Sequence, residues 1–395
     1  MKYSFKKRIY KILIPAFDVL GSILFFPIRL FRKPPSNPKN ILVVRLDHIG
    51  DFVCTTPLFK NIKKKFPAAK ITVLINSASK DLAYRDPVID KVITFSPAYL
   101  SRNEKSSSLK GLMRVVKDVK ALGFDLGIDP RGDMLSMVIM WLGGVKYRIG
   151  YGITGGGFLL NMEGRYDRSV HVIDRNLALL KYLNIPVEDR SPSVYFNDKD
   201  MEAVEKLLRE KVTGPNQREI GVFEQIPFSA IILHPFAGAR TREWSRDSFQ
   251  GLIDRLRGCG ISIFLIGSGD DSIEYTGVID MRGKFNIPQL AYFIKKVGCF
   301  IGLNSGPANI AAALGVSSVV ISSGTNIVED WIPPNKSARF IYRDVVCRPC
   351  ENKICPKEKH ECMNGITAEE VFGKFMEISK KGQDPFFMRR NEDIF

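Results

Sequence analysis

Acidic residues are in short supply in this chain. Across 395 residues, 42 Asp and Glu stand against 58 Lys and Arg, leaving a formal net charge of +16. An excess of that size favours anionic partners: nucleic acid, a membrane surface or a phosphorylated substrate. Cysteine is sparse as well. Seven cannot make a disulfide framework at this length, and an odd number excludes full pairing. There is no Walker-type Gly-Lys-Ser/Thr string and no complete G-x-G-x-x-G, so neither a P-loop nor a dinucleotide fingerprint is present. No short-period repeat and no nucleic-acid-binding motif occurs either. What the chain has is an ordinary globular composition, 45% hydrophobic and 25% charged. That excludes a disordered tail protein, a collagen-like chain and a coiled coil. Single cores stop growing near ~250–300 residues, so two to three domains are predicted.

The charge is unevenly spread. Lys2, Lys6, Lys7, Arg8, Lys11, Arg29, Arg32 and Lys33 face only Asp18 within residues 1–33, which puts +7 of the charge in under a tenth of the chain. Between these flanks runs an apolar stretch from Ile12 to Leu30, broken by Pro15, Asp18 and Pro27. A spanning helix wants about 20 apolar residues, and a mid-bilayer charge costs ~2.5–3.5 kcal/mol. Phe25-Phe26-Pro27 makes a poor signal-peptide cleavage site. An interfacial helix with Lys/Arg flanks toward anionic headgroups is the favoured reading. A helix packed on the protein's own surface is the alternative.

After the Pro-rich break at 33–38, strands and helices alternate. Ile41–Leu46 reads as a buried parallel strand, followed by a turn at 47–50 and a helix capped by Thr55 or Thr56 with Pro57 at its first position. Lys70–Ile75 is the next strand, completing a βαβ unit, and Phe124–Asp129 is another. Arg102–Lys110 reads as a surface loop. A second set begins at Ala230, with strands at 231–233, 261–266, 299–303 and 316–322 and helices opening at Ser245, near Leu290 and at Ala308. Both halves therefore read as doubly wound α/β domains, with a linker in the region 185–228. The predicted division is a basic amphipathic membrane-associating segment at 1–36, a first Rossmann-like domain at 37–200, a second at 201–375 and a tail at 376–395.

In open α/β sheets, ligands sit outside the carboxyl ends of the strands. In the first half that directs attention to Asp51, beside Gly50 at a helix start, where the dipole alone would favour an acid by ~0.3–1 kcal/mol. In the second half, Gly238-Ala239 ahead of Arg242, Gly267-Ser268-Gly269, and the helix opening at Asn304-Ser305-Gly306 share one character. Small residues let backbone N–H groups approach phosphate oxygens, and an arginine adds a bidentate contact. A pyrophosphate cradle is the inference.

Val43-Val44-Arg45-Leu46-Asp47-His48-Ile49-Gly50-Asp51 with Thr55-Thr56-Pro57 resembles the opening motif of glycosyltransferase family 9, the heptosyltransferase family of bacterial lipopolysaccharide synthesis. Asp129-Pro130-Arg131-Gly132-Asp133, Arg148-Ile149-Gly150-Tyr151, and His171 followed by 174–180 are similar to its middle motifs. Residues 234–244 and 304–309 are similar to its donor-site motifs. The resemblance spans roughly residues 40–372. It implies a GT-B fold, two Rossmann-like doubly wound domains facing across a cleft. It also implies inverting transfer from a nucleotide-diphosphate sugar, ADP-heptose in the best-known cases, without a catalytic metal or other required cofactor. The family's general base falls on Asp51. Its donor contacts fall on Gly238, Ala239, Arg242, Asn304, Ser305, Gly306 and Asn309. Well-known members carry Asp and His at the positions of Asn304 and Asn309, and often Lys at that of Arg242.

The acceptor expected for a basic surface is a phosphorylated glycolipid, with Arg131 and Arg148 as candidate contacts and a solvated surface arginine as the equal alternative. Placement on the cytoplasmic face of the inner membrane follows from the same resemblance. Cys347, Cys350, Cys355 and Cys362 lie close together in sequence near His360. A structural zinc or cluster, packed free thiols and disulfides all remain open readings. Cys54, Cys259 and Cys299 read as core residues. Other functions weighed are transfer of a different nucleotide sugar, a GT-B-like sugar-nucleotide epimerase, and nucleic-acid binding. The Gly50-Asp51 motif speaks against the epimerase, and only the charge suggests nucleic acid.

Overall fold

The computed structural model describes residues 8–30, 33–98, 108–212 and 230–382. The chain divides into two compact units, Met1–Ser193 and Val194–Phe395.

The strands of the first unit are β1 (Asn40–Arg45), β2 (Lys70–Ile75), β3 (Lys91–Thr94), β4 (Leu126–Asp129), β5 (Tyr147–Gly150) and β6 (Met162–Glu163). They form one parallel sheet in the order β3-β2-β1-β4-β5-β6. Ile41 to Val44 are fully buried, as a continuous apolar run requires when both faces of a parallel strand are covered. The helices of this unit are α1 (Arg8–Leu30), α2 (Ile49–Val53), α3 (Thr56–Lys65), α4 (Lys80–Arg85), α5 (Leu109–Leu122), α6 (Met134–Leu142) and α7 (Val172–Leu177).

The second unit carries β7 (Ala230–His234), β8 (Ser262–Leu265), β9 (Ile279–Asp280), β10 (Cys299–Leu303), β11 (Ser317–Ile321) and β12 (Ala338–Ile341), all parallel, in the order β12-β11-β10-β7-β8-β9. Read from its own first strand, this is the order of the first sheet. Each order reverses direction once, between β1 and β4 in one unit and between β7 and β10 in the other. Those two crossover points are where a doubly wound sheet opens a crevice for ligands. The helices here are α8 (Asp198–Val212), α9 (Arg246–Gly258), α10 (Ile287–Val297), α11 (Gly306–Ala313), α12 (Glu361–Asn364) and α13 (Ala368–Gly382). The core joins Phe249, Leu252 and Ile253 of α9 to Val371, Phe375 and Ile378 of α13 beneath the sheet.

Several expectations need adjustment. The turn at 47–50 leads directly into the short helix α2, whose last residues feed α3. Thr55 stands at the start of α3 but does not cap it; its hydroxyl donates back to the Asp51 carbonyl at 2.7 Å. The boundary at 200/201 falls inside α8. Residues up to 193 are tied to α3 instead: Glu188 N–H donates to Asn61 Oδ1 (2.7 Å) and Ser193 N–H to Thr56 Oγ1 (2.8 Å). The boundary at 375/376 falls inside α13, where Ile378 is buried in the core. Residues 1–7, 31–32, most of the 102–110 loop, 213–229 and 383–395 lie outside the described residues.

Among the described residues no helix is long and apolar enough to cross a membrane. α1 belongs to the first unit and lies against the turn Gly157–Leu159, where Phe17 and Phe25 both meet the Phe158 ring.

Candidate functional site

At the carboxyl end of β1, Arg45 is buried and serves two carboxylates. Its Nε lies 3.0 Å from Asp47 Oδ1 and its Nη2 lies 3.1 Å from Asp51 Oδ1. The other oxygen of Asp51 accepts the His48 N–H at 3.2 Å, so the carboxylate is held in the first turn of α2. Burial, and next the neighbouring Asp47, push the Asp51 carboxyl above the usual carboxylate range; Arg45 and His48 act in the opposite direction. Burial is the largest of these effects and prevails. The outcome is an oriented carboxylate of raised basicity, the property a proton acceptor needs.

The loop after β4 completes this end of the first sheet. Asp129 is fully buried and accepts N–H groups from Arg131, Gly132 and Asp133 at 3.0, 3.1 and 3.0 Å. Burial, then the nearby Asp133, lift its carboxyl to about 7 despite those bonds. Gly132 sits at φ +81°, and a Cβ there would come within 2.6 Å of the Tyr151 carbonyl, so the turn needs glycine. Arg131 is partly exposed and approaches Asp47 (3.6 Å) and Asp133 (3.3 Å). Arg131 therefore stands with Asp51 at the crossover between β1 and β4. Arg148 does not stand with them. It is buried, and its guanidinium donates to the carbonyls of Leu159 and Val145, both at 2.6 Å. These two bonds fit a support for the loop after β5.

In the second unit the expected donor residues gather at the crossover between β7 and β10. Gly302 pairs with His234 across these strands, and a Cβ on Gly302 would meet the His234 carbonyl at 2.6 Å. That close approach sets His234 Nδ1 3.1 Å from Ser305 Oγ. Ser305 leads into α11, whose N-terminal end carries partial positive charge. Asn304 and Gly306 flank it, half-buried. Asn309 is buried one turn on, its amide donating to the Ser305 carbonyl at 2.9 Å, so it braces the loop from beneath. After β7, Gly238 and Ala239 lead into a tight turn at Arg240–Arg242 that leaves Arg242 exposed.

The role of His234 was missed from sequence, though its place at a strand end beside a glycine-bearing partner could have signalled it. So was that of Thr241. It is buried, and its hydroxyl donates to the Asn352 carbonyl at 2.7 Å, tying the turn before Arg242 to the cysteine-bearing segment. That segment is docked further by Cys350 N–H to Gly324 O (2.9 Å) and Glu351 N–H to Thr325 O (3.0 Å). All seven cysteines are free thiols. Burial raises the Cys362 thiol first, and the nearby Cys347, Cys350 and Cys355 raise it further. Among the described residues, however, no three His, Cys, Asp or Glu side chains are arranged to hold a metal. Cys259 is exposed, against the expectation of a core position, while Cys54 and Cys299 are buried.

Comparison with known proteins sets these two groups of residues in context. The profile of glycosyltransferase family 9 (heptosyltransferase) matches residues 112–361. Lipopolysaccharide heptosyltransferase 3 of Escherichia coli K12 is 24% identical over 346 residues, covering 82% of this chain and 93% of its own. The crystal structure of a family 9 glycosyl transferase from Veillonella parvula superposes with a TM-score of 0.72 at 19% identity, over 87% of this chain and 98% of that one. The structure of E. coli ADP-heptose lipopolysaccharide heptosyltransferase II gives 0.66 at 16% identity, over 87% and 99%. The two six-stranded units thus form the GT-B fold.

Proposed function

This chain belongs to glycosyltransferase family 9, and from that premise we propose that it moves a heptosyl unit from ADP-heptose to a phosphorylated glycolipid of the lipopolysaccharide core, inverting the anomeric centre without a catalytic metal. One observation carries the proposal: the crossover of each sheet bears half of the needed chemistry. A held carboxylate of raised basicity lies on the first, and a small-residue cradle backed by His234 and Ser305 lies on the second. The E. coli relatives bearing on donor and acceptor are named for ADP-heptose and for lipopolysaccharide.

In this reading Asp51 accepts the proton of an acceptor hydroxyl as that oxygen attacks the anomeric carbon. The bond from this carbon to the diphosphate oxygen breaks on the opposite face, and ADP departs with the electron pair. Charge that builds on the departing diphosphate meets Arg242 and the N-terminal end of α11, with Gly238, Ala239 and Gly306 allowing close approach. Preorganised donors of this kind contribute ~10²–10³ in rate each, which is the work a divalent ion does elsewhere. Asn304 and Asn309 give the cradle neutral amides, and that favours a second reading with a different nucleotide sugar. Arg131 is the proposed acceptor contact. The proposed location is the cytoplasmic face of the inner membrane, reached through the N-terminal segment. The four clustered cysteines are not arranged to hold a metal among the described residues, so the structural zinc is not part of this reading.

The test is a panel of ADP-, UDP- and GDP-sugars, followed by nucleotide release. ADP-heptose should be the donor consumed; release of UDP or GDP in its place would support the second reading.

A further inference from the structure

Resting on the glycosyltransferase reading above, we infer that the first unit docks on an anionic bilayer through a composite apolar face, formed by the outward side of α1 and by Trp141 and Leu142 at the end of α6. α1 is built inside out. Its 23 residues extend about 35 Å at 1.5 Å per residue. Ile14, Asp18, Gly21 and Phe25 follow helical spacing on the side turned to the protein, where Gly21 lets the helix approach Phe158 closely. Between Lys11 and Arg29 the only ionisable residue is Asp18, and it is buried, with the Gly156 N–H donating to its Oδ1 at 2.7 Å. A surface helix ordinarily turns its charge outward and its apolar stripe inward. Here the charge is turned in, and Ile12, Leu13, Leu20, Ile23 and Leu24 are 55–75% exposed on the other side.

The same face continues onto the body of the unit. Phe25 meets the Trp141 ring edge-on at 5.6 Å, and Trp141 and Leu142 are 40% and 46% exposed. The pairing of Asp18 with Gly156 fixes the rotation of α1, so the stripe and Trp141 stay together.

Charge complementarity selects the occupant. Five basic residues (Lys2, Lys6, Lys7, Arg8 and Lys11) precede the stripe and three (Arg29, Arg32 and Lys33) follow it, with no acid among the flanks. An apolar strip bounded at both ends by cations matches acyl chains bordered by anionic headgroups. Tryptophan suits that boundary, having an apolar body and one N–H donor. With no helix able to span among the described residues, α1 lies in the plane of the surface.

The experiment uses the full chain and vesicles of phosphatidylethanolamine with phosphatidylglycerol, against vesicles of phosphatidylcholine alone. The wild type should sediment with the anionic vesicles, more weakly with the neutral ones, and less as salt rises. Leu20→Glu with Leu24→Glu should lower partitioning on the order of 10-fold, and Trp141→Ala several-fold. Melting temperature and nucleotide release with a water-soluble acceptor should stay at wild-type values. Partitioning unchanged in both variants would overturn the inference. So would a wild-type dimer that the glutamates dissociate without any vesicle binding, which would make a second copy the occupant. Vesicle binding by a protein that turns over no sugar nucleotide would sink the glycosyltransferase reading and leave the docking face standing.

Discussion

The Arg45 guanidinium lies 3.1 Å from Asp51 and 3.0 Å from Asp47, a single buried cation between two acids. Burial first, and then the neighbouring Asp47, leave Asp51 more basic than an ordinary carboxyl. The acid limb of kcat/KM should therefore lie above pH ~4, the range of a free aspartate, with activity lost as pH falls through it. Replacing Asp47 by Asn removes the repelling charge and should move the limb to lower pH. A pH–rate profile unmoved by Asp47→Asn would show that Asp51 does not govern the limb.

The close approach of β7 and β10 has a mechanical consequence for the donor cradle. Gly302→Ala forces a methyl against the His234 carbonyl, so the strands must part where His234 meets Ser305. Overpacking of this kind costs ~1–3 kcal/mol. A lowered melting temperature and weaker ADP binding in calorimetry are expected together. Normal ADP affinity in a destabilised variant would separate the cradle from the strand contact.

Thr241 offers a finer probe of the same region. Thr241→Val keeps the shape and removes the hydroxyl that holds Asn352. Donor KM should rise several-fold with kcat nearly unchanged, and Thr241→Ser should restore it. If KM holds steady in the valine variant, the cysteine-bearing segment does not position Arg242.

Asp129 should leave a signature in stability. Its folded carboxyl titrates at about 7, against ~3.9 for a free aspartate. The folded state holds a proton that the unfolded chain releases, so this contribution is full below pH ~4 and is lost as pH rises toward 7. Asp129→Asn cannot titrate and should flatten the fall in melting temperature across that window. Part of the slope should survive, because burial also lifts Asp86, to about 6. An unchanged slope would mean that Asp129 is ionised in the folded protein.

Much of this architecture could be read from residue order alone. Val43 and Val44 in an unbroken apolar run mark a buried strand, and Pro57 just inside a helix start marks α3. The short strands β3, β5, β6, β9 and β12 were not legible, because two to four residues carry too little period to separate from loop. The burial of Arg148 was not legible either. An arginine has no apolar partner to predict its burial from sequence, and only the carbonyls of Val145 and Leu159, brought by the fold, explain it. Asp18 counts against a helix that crosses the bilayer, and no described helix is long and apolar enough to do so; what residue order does not show is that the fold turns Asp18 inward to Gly156.

The most direct test of the central claim is a single assay of transfer from ADP-heptose to a lipopolysaccharide-core acceptor. It should be run with and without EDTA, for wild type and Asp51→Ala, following ADP release and the heptosylated product. The account predicts that the wild type releases ADP and forms a product of inverted configuration equally well in EDTA. Asp51→Ala should bind ADP within a few-fold of wild type and transfer ~10²–10⁴ more slowly. Near-normal turnover by Asp51→Ala would contradict the account, and so would transfer that stops at once in EDTA in folded protein and returns with Mg²⁺.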